Sequence, residues 1–214
     1  MTFVPVASVL LTFSVACLVV FITPGPDMSL FLAKTVAGGR KAGLAAMLGT
    51  MLGCCIHTML VALGLSALLA ASTTAFTVIK VVGGLYLLWL AVDAIRHGSA
   101  LNMRPGAGEA GAPVWKSFLI GLGVDLTNPK IVLFFVTFLP QFVTADDPHA
   151  AAKLVFLGLY YVAFTMPLAA LLILVAERVI SALRRRPRIM RGIDYLFACV
   201  FGAFAIKILA MEGR

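Results

Sequence analysis

The chain has 214 residues, 62% of them hydrophobic and only 12% charged, with a formal net charge of +8 and a mean hydropathy of +1.06. Soluble globular domains run near half apolar and a quarter charged, so these values exclude a water-soluble fold and predict an all-α polytopic membrane helix bundle. In such a chain the excess of basic residues reads as cytoplasmic loop signal, not as a nucleic-acid surface.

Six apolar stretches follow one another at 6–33, 42–69, 76–95, 116–142, 153–176 and 193–211, each near or above the ~20 residues that cross the hydrocarbon. No segment left over is long enough to bury a soluble core, which predicts one transmembrane domain over 1–214. The first stretch has no Lys or Arg ahead of it and outruns a signal-peptide h-region, so it is expected to stay as helix 1. Within it Thr23-Pro24-Gly25-Pro26 sets two prolines and a glycine in four residues. Each proline removes a backbone N–H and crowds the preceding turn, and at ~1.5 Å per residue the stretch has length to spare for an unwound segment or a tilt.

Helix 2 carries Ala45, Gly49 and Gly53 at four-residue spacing, a pattern for close helix approach. It also carries His57, which reads equally as a proton relay or as a histidine bonded to a neighbouring helix. Tyr86 and Trp89 in helix 3 are ordinary membrane aromatics, and Asp93 with Arg96 reads as a surface pair. The segment 98–113, rich in Gly, Ala and Pro, is expected to link two three-helix halves, 1–97 and 114–214. In helix 4, Asn128-Pro129 joins a good N-cap residue to a proline suited to the first helical position, so a new half-helix is predicted to begin there. Cys17, Cys54, Cys55 and Cys199 all fall in apolar stretches and indicate no disulfide framework.

Lys34, Arg40, Lys41, Arg96, Arg104, Lys116, Arg178, Arg184, Arg185, Arg186, Arg188 and Arg191 put twelve of the 17 basic residues into three alternate loops, 34–41, 96–116 and 177–191. The intervening loop 143–152 carries Asp146 and Asp147 instead. The positive-inside rule then places both termini in the periplasm. Pro26-Asp27-Met28-Ser29-Leu30-Phe31 aligns with Pro129-Lys130-Ile131-Val132-Leu133-Phe134 at Pro, Leu and Phe. Three helices apart, the two strings enter from opposite sides, the inverted-repeat arrangement of many secondary transporters.

Unwound backbone at membrane depth is tolerated only where protein or a wet cavity surrounds it, so the breaks in helices 1 and 4 mark a pathway. Free N–H groups at half-helix N-termini suit a carboxylate. Asp27, Asp125 and Lys130 lie at or beside the breaks, where an unpaired charge costs ~2.5–3.5 kcal/mol on insertion scales. They read either as an Asp27–Lys130 ion pair or as groups holding a substrate ammonium or a coupling proton. The predicted substrate site is thus Thr23, Pro24, Gly25, Pro26, Asp27, Asp125, Asn128, Pro129 and Lys130, with Asp27, Asp125 and His57 as proton-coupling candidates. No Walker loop occurs, so this chain hydrolyses no ATP. Nothing calls for a cofactor or a resident metal, and no enzymatic motif appears. A thiol relay would need a cysteine in helix 4, which has none.

Thr23-Pro-Gly-Pro-Asp27, Gly43-Leu-Ala-Ala-Met-Leu-Gly49, Gly83-Gly-Leu-Tyr-Leu-Leu-Trp-Leu90, Leu126-Thr-Asn-Pro-Lys130 and Phe138-Leu-Pro-Gln-Phe142 together resemble the LysE/RhtB family of bacterial amino-acid exporters, over nearly the whole chain. The resemblance implies a six-helix inner-membrane secondary transporter that exports neutral or cationic amino acids, with protons as coupling ion. It carries over directly to Pro24, Gly25, Pro26, Asn128, Pro129 and Lys130. Asp27 and Asp125 stand where the family more often has Asn. That extra acid keeps a cationic substrate or a metal-cation exporter in view as the alternative, and a homodimer is left open.

Overall fold

Helix α1, Ala7–Ile22, stops where the prolines require it: Thr23 turns extended at φ −71°, ψ 118°. The next helix begins with Pro26 at its first position, where a missing N–H costs nothing. This computed structural model describes residues 4–97, 113–144, 147–176, 178 and 187–212. The 98–112 part of the linker, Asp146 and the Arg184–Arg186 run lie outside them. Every element among the described residues is helical.

Helix α2, Pro26–Ala71, is continuous except at Gly39, whose φ of 73° and ψ of 178° leave the helical region. A Cβ built on Gly43 would lie 2.1 Å from Thr35 Oγ1, whereas residues eight apart on a straight helix are ~12 Å apart. The chain therefore folds back at Gly39 into two arms, 26–38 and 40–71. The loop expected over 34–41 is corrected to a one-residue break, because glycine alone enters the left-handed region without a steric penalty. Lys34, assigned to that loop, is buried.

Only Ser72 separates α2 from α3, Thr73–His97. Helix α4, Val114–Thr127, ends at Asn128 (φ −73°, ψ 108°), nearly the conformation of Thr23 at the other break. Helix α5, Pro129–Leu133, continues as a π turn, Phe134–Phe138, and a 3-10 turn, Leu139–Phe142. The second half of helix 4 is thus less regular than the expected plain half-helix. Helix α6 is Ala150–Leu174 and α7 is Pro187–Glu212, each starting earlier than the apolar pattern alone indicates.

Ala150–Leu174 is long and apolar enough to cross a membrane, the similarly apolar stretch Pro26–Gly64 is divided by the fold-back at Gly39, and Val114–Thr127 with Pro129–Phe142 is an apolar pair bent by 52°. Exposure is inverted relative to a soluble domain. Leu11, Leu60, Leu63, Leu119 and Leu171 face outward while Asp125, Thr50 and Thr165 are buried, as expected where the surrounding solvent is lipid and polar groups must find partners inside.

Helix α2 packs chiefly on α4 and α6, and α3 on α7. The α2–α4 crossing is a backbone contact: a Cβ on Gly49 would sit 2.0 Å from Phe118 O, and one on Gly121 2.1 Å from Ala46 O. The small-residue motif thus does the packing work assigned to it. Gly53 does more, because a Cβ there would fall 2.2 Å from Asp125 Oδ2. Its missing side chain is the space the carboxylate occupies.

Candidate functional site

The two breaks meet. Lys130, on the first turn of α5, extends its ammonium to the main-chain carbonyls of Val20 (3.1 Å) and Thr23 (2.9 Å) at the end of α1. A helix C-terminus leaves carbonyls unpaired and carries partial negative charge, so the lysine caps α1 from across the bundle. Gly25 gives it passage, since a Cβ there would lie 3.0 Å from Lys130 Nζ.

Asn128 bridges in the reverse direction. Its Oδ1 accepts from the Lys130 N–H at 3.1 Å, capping α5 as the sequence predicts, while its Nδ2 donates to Asp27 Oδ2 at 2.9 Å. The Asn128 carbonyl accepts from Ile131 and Val132, and Pro129 has no N–H to offer. The α5 N-terminus is therefore closed by its own cap. Of the two half-helix ends expected to lie open to a carboxylate, this one is filled, and the start of α2 is built differently. There Pro26 has no N–H, and those of Asp27 and Met28 precede the first carbonyl that the helix could supply one turn back.

Among the described residues three buried side-chain polar atoms are left without a hydrogen-bond partner: Asp27 Oδ1, Ser29 Oγ and Asp125 Oδ2. Asp125 is fully buried. Its Oδ1 accepts a long bond from the Cys54 thiol at 3.4 Å, and its Oδ2 lies 3.7 Å from His57 Nε2. His57 also reaches the Asp125 carbonyl at 3.4 Å and packs beside Phe135 with ring centres 5.8 Å apart. Native proteins seldom leave such groups unsatisfied, and an exception points to a missing partner.

Asp27, Asp125 and Lys130 all line one central cavity, together with Thr50, Cys54, Thr165, Tyr161 and an apolar wall that includes Phe31, Met51 and Ile131. The space in it open to a water-sized sphere is about 30 Å3, room for a water or two. Of the other predicted site residues, Thr23 spends its hydroxyl on the Val19 carbonyl at 2.7 Å, and Pro24, Gly25, Pro26, Asn128 and Pro129 shape the breaks without lining the cavity. Thr50, Cys54, Thr165 and Tyr161 are lining residues that sequence reasoning missed. Among the described residues no three of His, Cys, Asp and Glu are grouped to hold a metal ion.

The sequence matches the family of LysE type translocators over residues 18–212. The chain belongs to that family. Among related translocators it is 29% identical over 205 residues to the leucine efflux protein of Klebsiella pneumoniae, covering 94% of this chain and 95% of that one. It is 28% identical over 180 residues to the homoserine/homoserine lactone efflux protein of Salmonella typhimurium, covering 84% and 85%. With the uncharacterized membrane protein YahN of Escherichia coli it shares 29% identity over 193 residues, 89% of this chain and 84% of that one. No solved structure matches. The family and the apolar helices make this a membrane transporter.

Proposed function

We propose that the protein is a secondary exporter of amino acids in the bacterial inner membrane, exchanging its substrate for protons. The observation that carries this reading is the pair of buried carboxylate oxygens, Asp27 Oδ1 and Asp125 Oδ2, left without protein partners on residues that line one cavity beside two helix breaks. A substrate ammonium between them would supply the missing donor to each. The free N–H groups of Asp27 and Met28, at the positive end of α2, would receive the carboxylate. The relatives named for leucine and homoserine efflux favour an amino acid over another small solute.

Proton coupling falls to Asp125. With no exposure and, among the described residues, no lysine or arginine within ion-pair distance, it faces either substrate or proton, and His57 at 3.7 Å is the group that can pass one to it. Asp27 has the opposite setting, held by Asn128 beside the Lys130 ammonium. Six spans as two inverted halves, 1–97 and 114–214, with both termini periplasmic, accommodate the matching φ, ψ values of Thr23 and Asn128 and the clustering of basic residues along the sequence.

Asp27→Asn and Asp125→Asn test this in vesicles preloaded with amino acid. Each change removes a charge whose loss of a partnered ammonium is worth about 1.5–3 kcal/mol, so export is expected to fall by roughly tenfold or more while the protein stays folded in the membrane. In Asp125→Asn the residual export also becomes insensitive to an imposed pH difference. Parental rates in both variants would reduce these carboxylates to structural groups.

A further inference from the structure

Two closures of different build flank the central cavity. On one side Phe13, Phe134, Phe138, Phe142 and Phe204, from α1, the α5 segment and α7, stack edge and face with ring centres 4.6–6.4 Å apart. On the other side, toward Gly39, lies a second cavity of about 430 Å3 lined by residues that include Thr35, Arg40, Ile173 and Arg178. That volume falls in the ~300–1,000 Å3 range of small-molecule sites.

The partition between the cavities is thin. Phe31 borders the central cavity and Thr35, one turn later on α2, borders the outer one, a separation of about 6 Å along the helix. Phe31, Met47, Ala169 and Ile173 fill it as members of one apolar cluster. Phe31 rides on the 26–38 arm, which is bounded by non-helical backbone at both ends, the 23–25 break and Gly39. Short elements between two such points are where hinge motions occur. Met47 and Met51 are unbranched and repack easily.

We infer that this partition is the gate through which solute passes between the outer and central cavities, opened by displacement of Phe31 against Met47 and Ile173. The outer cavity is its mouth, where Arg40 and Arg178 draw the carboxylate of the solute. The aromatic stack is the closure that stays shut while the gate opens. This rests on the transport reading, and the two can fail separately.

Cys54 is a built-in reporter, because it is buried and lines the central cavity. With Cys17, Cys55 and Cys199 replaced by Ala, its labelling by a membrane-impermeant thiol reagent is followed in vesicles of each orientation. Phe31→Ala is expected to speed labelling by at least about tenfold from the face that carries Arg40, since opening the partition admits the reagent and hydrates the thiol, favouring the reactive thiolate, and to leave the opposite face unchanged. If Phe31→Ala inserts poorly, Met47→Ala gives the same sided acceleration with less loss of packing. No acceleration in either variant, acceleration from the opposite face, or equal acceleration from both as from a general packing defect, overturns the gate. Export by the unmodified chain in parallel vesicles judges the transport reading on its own.

Discussion

The breaks at 23–25 and at 128 start alike and finish differently. Both end a helix on an extended residue with nearly the same φ and ψ, and both restart it with proline at the first position. At Asn128 one side chain caps the new helix and the preceding residue's turn is tight, so α5 needs nothing from outside. At Thr23-Pro24-Gly25 no described side chain caps the first N–H groups of α2, and behind it Lys130 from the other break holds the Val20 and Thr23 carbonyls while Thr23 holds that of Val19. One break is closed by its own cap and the other is not. The two are locked together through Asn128 to Asp27 and Lys130 to Val20 and Thr23.

The widest test of that difference is to repair each break. Pro24→Ala with Pro26→Ala restores two N–H donors and about 3 kcal/mol of helix propensity per position, so rewinding should remove the α2 N-terminus as a receptor. Export from preloaded vesicles is expected to fall by roughly tenfold or more, with insertion and heat resistance near those of the parent. Pro129→Ala should lower export only by about two- to threefold, because Asn128 still caps the turn at a position worth ~1 kcal/mol. Equal export in both variants and the parent would make the breaks packing kinks.

Asn128→Asp separates capping from locking. Aspartate caps a helix as well as asparagine does, so α5 should persist, but it offers no donor to Asp27 and sets a second carboxylate against it. Losing a bond to a charged group costs about 1.5–3 kcal/mol, and export is expected to drop by about tenfold while Asn128→Ser falls between. A variant that exports normally would show that Asp27 needs no anchor.

Both breaks were legible in the sequence because proline, glycine and the Asn-Pro pair act locally, on their own φ and on one or two backbone donors. The Asn128 cap belongs to the same class. What was not legible depends on side chains that meet only in three dimensions. Thr50, Thr58 and Thr165 each bond a carbonyl in their own helix, the habit of any membrane threonine, so nothing in their spacing marks Thr50 and Thr165 as cavity residues. Lys130 reaching back to α1 was hidden for the same reason, although Gly25 beside the prolines hinted that something large passes there. Gly38-Gly39 between two helical patterns was a usable sign of the fold-back that the loop expectation over 34–41 passed over.

The start of α6 shows what a comparable device contributes outside the membrane, and it gives the smallest expected effect. Asp147 accepts from the His149 N–H at 2.9 Å and from the Lys153 ammonium, ahead of a helix that begins at Ala150. The bond from Lys153, then that from His149, holds its carboxyl below the usual carboxylate range. A lowered folded value means the stabilisation is complete above the unfolded value of about 3.9 and is lost as pH falls through the folded one. Surface pairs of this kind contribute about 0–1 kcal/mol. Asp147→Asn is therefore expected to melt only about 1–2 °C below the parent at pH 7, with export unchanged. The gap should close as pH falls from about 3.9 through the lowered folded value and shrink in 1 M salt, where the screening length is about 3 Å. A gap that persists at low pH and high salt would mean that Asp147 acts through the shape of the turn and not through its charge, and the contrast with Asp27, whose Oδ1 is buried without a partner, would lose its reference point.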